Sequence, residues 1–424
     1  MIIFIPLLIT TFHLAYTFLG YFYIYPEFNL YPYLVSRGLT PYMSLVDQHP
    51  PLLFFGPLHL GQLQLHHPTS LVILFASLII ATDFLVFRHL YRRSKDLAYA
   101  TVATCLFATS FLLLDGRFLW IESFILICLI CYVYFQSIRP DSLLPGIFLS
   151  LSIALKPQLL PLVLVLAFIP SFNIKKILPL AVFPLIQIAY LVQHQLLSPY
   201  LEILTFNAST YASLALQPPT ASQLLRLSLS LLPLTLLVSP ITPLLVILGS
   251  ITALPRFELY HLLPLLVVWT VVSPRRPHLL LFSLTLPILL LVLLLRHGPW
   301  EYRNVFFTPP SSQLLEEINK SSTLFILGAG DSLYYHTFTL PPGNYYLPQL
   351  PWYYQNQKWV TMQLESLSLH PPQIVLVNPS ASVDGRRTLD YTSPVWNWVN
   401  THYQKVGSSD GIDVYRPKTY ARSN

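Results

Sequence analysis

The residues best suited to chemistry begin in one short stretch of this chain. Glu27 lies in YIYPEFNLYPYL, and Asp47 and His49 lie in LVDQHPPLLF, residues 45–54. A carboxylate there can take a proton from an attacking hydroxyl or ligate a metal. Pro50 and Pro51 restrict the backbone, so Asp47 and His49 point in set directions. A solvated loop acid and a capping turn before an interfacial helix are the plainer readings. Asp115, Arg117 and Glu122 come from LLLDGRFLWIESF, where Asp115-Gly116 marks a turn. A carboxylate beside lipid is costly unless paired, and Arg117 is the nearest candidate partner for Glu122. Lys156, in SIALKPQLLPLVL, has apolar neighbours on both sides. Its three donors and full charge suit a phosphate, although a lysine can also snorkel to an interface. Arg256, Tyr260 and His261 occur in LPRFELYHLLPLL, where helical spacing would place 257, 260, 261 and 264 on one face. An interfacial belt of Arg and Tyr accounts for the same residues. Tyr200, Asn207 and Tyr211 add aromatic and amide groups of the kind that contact sugars, a weak signal. Glu27 and Asp47 are therefore the candidate catalytic residues. His49, Arg117, Glu122, Lys156, Arg256, Tyr260 and His261 are the candidate substrate-binding residues. His59, His66 and His67 match no metal spacing, and no metal ligands are assigned.

The elements that position these groups belong to a membrane protein. The chain has 424 residues, of which 54% are hydrophobic and 10% charged, with mean hydropathy +0.57. A soluble domain carries roughly 25% charged residues. Hydrophobic segments fall near 2–23, 69–90, 97–114, 118–137, 144–155, 157–170, 177–195, 223–238, 240–254, 259–273 and 278–296. The fold expected is mostly α: a polytopic bundle of about eleven hydrophobic segments. Several contain Pro, which membrane helices tolerate when neighbours cover the freed carbonyls. The net charge of +6 and pI near 9.0 do not suggest nucleic acid. Much of the excess lies in short loops: Arg88, Arg92, Arg93 and Lys95, then Arg139, then Lys175 and Lys176, then Arg275 and Arg276. If the segments alternate, all four loops share the cytoplasmic side. The N-terminus is then cytoplasmic, and the loops 24–68 and 196–222 and the tail lie outside. Met1–Tyr25 reads as a retained first span. Cys105, Cys128 and Cys131 sit in hydrophobic segments as small apolar residues. After Arg296 the composition changes. Residues 312–320 suggest an amphipathic helix, 323–328 and 373–378 buried strands, 394–404 a helix and 412–416 a last strand. The domains expected are 1–299 in the membrane and a small α/β domain, 300–424, outside it.

The stretch from Glu27 through GLTPYMSLVDQHPPLLFF resembles the first outer loop of the GT-C glycosyltransferases. The resemblance is to bacterial relatives of dolichyl-phosphate-mannose–protein mannosyltransferases and to the lipid A aminoarabinose transferase group. Members often carry an acidic pair, a helix, a Gly-x-x-Pro-Tyr turn and then Asp-x-His-Pro-Pro-Leu. Here the acidic pair is reduced to Pro26-Glu27. The stretch from Asp115-Gly116-Arg117 to Glu122 resembles the family's junction of third and fourth spans. Lys156 stands where many members carry lysine, and RFELYHLLPLL resembles a late Arg/His-Tyr motif. The likeness covers about residues 1–300, and many bacterial relatives also carry a small outer C-terminal domain. It implies transfer of a hexose or pentose from a polyprenyl phosphate to an acceptor at the outer face of the cell membrane, with inversion. Glu27 or Asp47 would take the acceptor proton. Lys156, Arg117 and Arg256 would stabilise the leaving lipid phosphate. No cofactor is required, and a divalent metal serves some relatives. The partners implied are the polyprenyl-phosphate-linked sugar, the bilayer and an acceptor that is protein, lipid or glycan. Two other readings differ in class. A transporter or flippase of lipid-linked glycan needs polar residues on both sides of the bundle midplane and usually a repeat. A non-catalytic scaffold leaves the first-loop cluster unexplained.

Overall fold

The computed structural model describes residues 3–19, 22–25, 27–56, 59–168, 177–214, 218–235, 241–250, 257–271, 285–293, 311–328 and 341–418. These residues are mostly helical, with a few strands. They form two compact units, each discontinuous in sequence. Unit 1 is Met1–Tyr25, Pro68–Ala189 and Gln217–Val305; unit 2 is Pro26–His67, Tyr190–Leu216 and Phe306–Asn424.

Unit 1 is the apolar helical unit. Pro68–Ser94 and Ile121–Ile138 are long and apolar enough to cross a membrane. The 27 residues of Pro68–Ser94 extend ~40 Å, more than the ~30 Å hydrocarbon core. Phe4–Leu19, Leu97–Leu113, Leu144–Leu155, Pro157–Phe168 and Leu259–Val271 are shorter apolar helices, and the bent pair Leu178–Gln193 with Leu197–Tyr211, whose second helix belongs to unit 2, would count as a third span if it acts as one. Local chemistry sets several boundaries. The Asp96 carboxylate accepts the Tyr99 N–H at 3.0 Å and caps Leu97–Leu113. Lys156 precedes Pro157, whose ring disfavours helical backbone before it. Lys156 is accordingly extended (φ −150°, ψ 94°) and ends Leu144–Leu155, and a short 3-10 turn, Pro157–Leu159, leads into Leu160–Phe168.

At the end of Leu97–Leu113 the chain turns through Asp115, which has φ 56°. Gly116 packs so tightly on Phe111 that a Cβ would fall 2.4 Å from its ring, so only glycine fits. The turn delivers a two-residue strand, β2 (Phe118–Leu119), which pairs in parallel with β1 (Tyr23–Ile24). Tyr25, Phe118, Trp120 and Tyr260 form an aromatic cluster there, with ring centroids 4.4 to 6.4 Å apart.

Unit 2 contains a four-stranded sheet of β3 (Leu324–Leu327), β4 (Ile374–Val377), β7 (Tyr403–Ser409) and β8 (Ile412–Pro417), in the order β3-β4-β8-β7. β3 and β4 are parallel and fully buried, as their unbroken apolar runs require. β7 and β8 are an antiparallel hairpin turned by Asp410 and Gly411, both at positive φ. The short pair β5 (Ser382–Val383) and β6 (Arg386–Arg387) lies outside this sheet. The helices Ser312–Asn319, Gln357–Leu369 and Ser393–His402 bury Leu314, Ile318, Val360, Leu367, Val395 and Val399. The first loop belongs to this unit. Leu45 bridges Tyr346, with Val46 N–H donating to the Tyr346 carbonyl at 3.1 Å and Tyr346 N–H to the Ser44 carbonyl at 2.7 Å.

Three sequence expectations need correction, and one helix was not foreseen. Residues 196–222 are not a plain loop, because Leu197–Leu214 is helical. The last helix stops at His402, and Tyr403 opens a strand. Gln357–Leu369 is a helix capped by Asn356 that the hydrophobic pattern did not reveal. The 259–273 segment begins as a 3-10 helix over Leu259–Val267 before α-helix at Val268–Val271. Pro264 cannot donate to the Tyr260 carbonyl, so the tighter winding replaces α geometry. In that winding residues i and i+3 align.

Candidate active site

Among the described residues, unit 1 holds three buried charged clusters. In the first, Glu122 stands in the first turn of Ile121–Ile138, and its side chain is 1% exposed. Its Oε1 accepts the Lys156 ammonium at 2.5 Å and meets His261 Nδ1 at 2.6 Å. Lys156 Nζ is also 3.4 Å from His261 Nδ1. The helix break at Lys156 and the 3-10 start at Leu259 thus bring together three groups from distant parts of the chain. The sequence offered Arg117 as the partner of Glu122; the partners found are Lys156 and His261. The helix N-terminus adds favourable potential to the carboxylate.

In the second cluster, Asp115 Oδ1 accepts Arg226 Nη1 at 2.7 Å and lies 4.0 Å from Arg117 Nη2. Arg226 also donates to the Leu113 carbonyl at 3.3 Å, and both arginines are buried. Two guanidiniums therefore approach one carboxylate. Arg226 Nε is buried with no hydrogen-bond partner among the described residues. Arg226 was absent from the sequence candidates, although a lone Arg in ASQLLRLSLSLLPLT is itself a signal.

The third cluster was also unforeseen. His13, on Phe4–Leu19, places Nδ1 3.0 Å from Asp83 Oδ2 on Pro68–Ser94, and both side chains are 0% exposed. Phe111 meets the imidazole edge-on at 4.7 Å. Replacing Asp83 with Leu should destabilise the protein by about 3 kcal/mol, because one buried polar partner remains alone. The double variant His13→Leu/Asp83→Leu should return most of that loss, read as thermal unfolding in detergent.

Unit 2 holds the first-loop acids. Asp47 is 2% exposed. Its Oδ2 accepts the Tyr31 hydroxyl at 2.8 Å, and its Oδ1 accepts the His49 backbone N–H at 2.7 Å and meets the His49 ring Nδ1 at 2.6 Å. Tyr31 comes from Glu27–Ser36, the helix that Glu27 begins. Burial, and then the nearby Asp47 and Glu27 carboxylates, push the Tyr31 hydroxyl well above its ordinary pKa, so it remains a donor. Tyr353, from the tail, is fully buried and raised in the same way by burial and then Asp47. Tyr42 donates to the His49 carbonyl at 2.8 Å, and its ring lies 4.8 Å from Tyr200. Tyr211 packs on Trp352 at 4.7 Å. The aromatic residues noted in 196–222 therefore serve this unit from a helix.

Of the sequence candidates, Glu122, Lys156 and His261 meet in unit 1. Tyr260 is in the aromatic cluster beside them, with its ring 4.3 Å from His261. Arg117 joins Asp115. Asp47 and His49 meet in unit 2, and Glu27 acts on the same tyrosine. Arg256 lies outside the described residues. Among the described residues no group of three or more His, Cys, Asp or Glu is placed to hold a metal. A cavity of about 280 Å³ lined by His89, Arg93, Tyr132, Gln136 and Val271, among others, borders none of these clusters. No family model matches the chain, and no curated protein matches it.

Proposed function

We propose that this chain is a polytopic membrane glycosyltransferase of the GT-C type, built on about eleven hydrophobic segments with a cytoplasmic N-terminus and residues 300–424 extracytoplasmic. It moves a sugar from a polyprenyl phosphate to an acceptor at the outer face. The observation that supports this most directly is the meeting of two buried guanidiniums, Arg117 and Arg226, at Asp115. Arg226 Nε is buried with no hydrogen-bond partner among the described residues, and an anionic ligand would satisfy it. A lipid phosphate is an anion that reaches such a place with its hydrocarbon already in the bilayer. As the bond from the anomeric carbon to the phosphate oxygen breaks, charge develops on that oxygen, and fixed guanidiniums stabilise it. Arg256 is proposed for the same role. Lys156 is already neutralised by Glu122, so it orients the site more than it holds phosphate.

The acceptor hydroxyl must lose its proton as it attacks. That task falls to the Asp47 cluster, with Glu27 beside it. The aromatic residues around Asp47 suit an acceptor with sugar-like or aryl faces. Asp47→Asn and Glu27→Gln should each lower transfer by on the order of 10²-fold or more. The assay supplies membranes with polyprenyl-phosphate-linked tritiated hexoses and pentoses and follows label into acceptor. Full activity in both variants, with normal insertion, removes the assigned roles. The second reading, a transporter of lipid-linked glycan, draws on the His13–Asp83 pair inside the helical unit. It predicts that label crosses vesicle membranes in the Asp47→Asn variant.

A further inference from the structure

We infer that the proton acceptor at the first-loop site is the imidazole of His49, with Asp47 as its positioning residue. This rests on the transferase reading and names the atom that does its proton transfer.

Three observations carry it. First, Asp47 is already committed: Oδ2 holds Tyr31, and Oδ1 holds the His49 amide and ring. A carboxylate with both oxygens so engaged is a poor acceptor for one more proton. Second, the 2.6 Å contact is to Nδ1, from a carboxylate that is 2% exposed. A buried carboxylate on Nδ1 keeps the proton on that nitrogen, so Nε2 carries the lone pair. It also stabilises the imidazolium that forms when Nε2 takes a proton. Third, the His49 side chain is 17% exposed, so the ring is the more accessible member of the pair.

A local turn alone does not explain this arrangement. An Asx turn requires only the bond from the His49 amide to Asp47. The ring contact and the Tyr31 bond are additional, and Tyr31 comes from a different helix. The backbone restricts the ring further: Pro50 follows His49 directly (φ −58°, ψ 151°), and Tyr42 holds the His49 carbonyl. Among the described residues, the titratable groups around the pair and its Tyr31 partner include Glu27, Tyr31, Tyr42, Tyr200, Tyr346 and Tyr353.

The step balances. The acceptor O–H proton passes to His49 Nε2, and the acceptor oxygen bonds to the anomeric carbon. The bond from that carbon to the phosphate oxygen breaks, with its electron pair going to phosphate. His49 then returns its proton to water or to the phosphate released.

Two readouts test this on the full chain in detergent or membranes. Nitrogen NMR of histidine-labelled protein should show His49 protonated at Nδ1, and Asp47→Asn should move it to the Nε2-protonated form. In the transfer assay above, His49→Ala should lose on the order of 10²- to 10⁴-fold, and added imidazole should restore a measurable part. His49→Gln should be as inactive as His49→Ala but unresponsive to imidazole. Wild-type transfer in His49→Ala while Asp47→Asn is dead would make Asp47 the base and overturn the inference. An Nε2-protonated His49 in the wild type would overturn it as well. If the wild type transfers none of the supplied sugars, the transferase reading fails, and the NMR result still decides which nitrogen Asp47 holds.

Discussion

Replacing Arg226 with Ala is expected to weaken binding of polyprenyl phosphate by about 30-fold and to slow transfer on the order of 10²-fold. Arg226 brings a second buried guanidinium to Asp115 and a buried Nε with no partner among the described residues, and the alanine variant removes both. Arg226→Lys should recover only part of the affinity. A lysine keeps the charge but lacks the planar fork that bonds a carboxylate and a phosphate at once. Asp115→Asn provides the electrostatic control. It raises the net positive charge, so lipid phosphate binding should hold or tighten even as the turn loses its ion pair. Native mass spectrometry with added polyprenyl phosphate reads the affinity. Thermal unfolding of the same samples separates ligand loss from misfolding. Equal phosphate binding in Arg226→Ala and wild type would remove this arginine from the proposed site.

The second large effect concerns Glu122 and Lys156. Glu122→Leu should destabilise unit 1 by about 3 kcal/mol, because the Lys156 ammonium, 14% exposed, loses the carboxylate 2.5 Å away. Lys156→Met should cost a similar amount by leaving Glu122 to His261 alone. The double variant should be far more stable than the sum of the two losses predicts, since an apolar pair of similar volume needs no counter-charge. Lys156→Met should also affect lipid phosphate affinity less than Arg226→Ala does. Additive losses in the cycle would mean that the pair is not coupled, and a stronger effect of Lys156→Met on phosphate binding would return that role to the lysine.

Much of the helical layout was legible in the residues. The segments read at 97–114 and 144–155 are Leu97–Leu113 and Leu144–Leu155, and the strands read at 323–328 and 373–378 are β3 and β4. Long apolar runs and short bounded ones carry that information locally. Partner choice is not local. Glu122 pairs with groups 34 and 139 residues away, and Arg117 was offered only because it was near in sequence. His13, Asp83 and Arg226 were visible as single ionisable residues within apolar runs, but only packing shows what each one meets. The helix Leu197–Leu214 was hidden because Ser198, Pro199, Asn207, Ser209 and Thr210 dilute its hydrophobic run. The first loop's union with the tail has no signature at all, because one bridge between Leu45 and Tyr346 joins stretches of unlike composition.

That bridge has a consequence for how the protein is born. A ribosome delivers Val46 long before Tyr346, and the 300 residues between them (346 − 46) take roughly 15–60 s at ~5–20 residues per second. During that interval the growing chain has its first loop but not Tyr346, which pairs with it. Tyr353, whose hydroxyl Asp47 helps to keep protonated, arrives later still. A nascent or prematurely terminated polypeptide therefore lacks the hydrogen bonds that tie Ser44 and Val46 to Tyr346, and its first loop has no tail partner until Tyr346 is made.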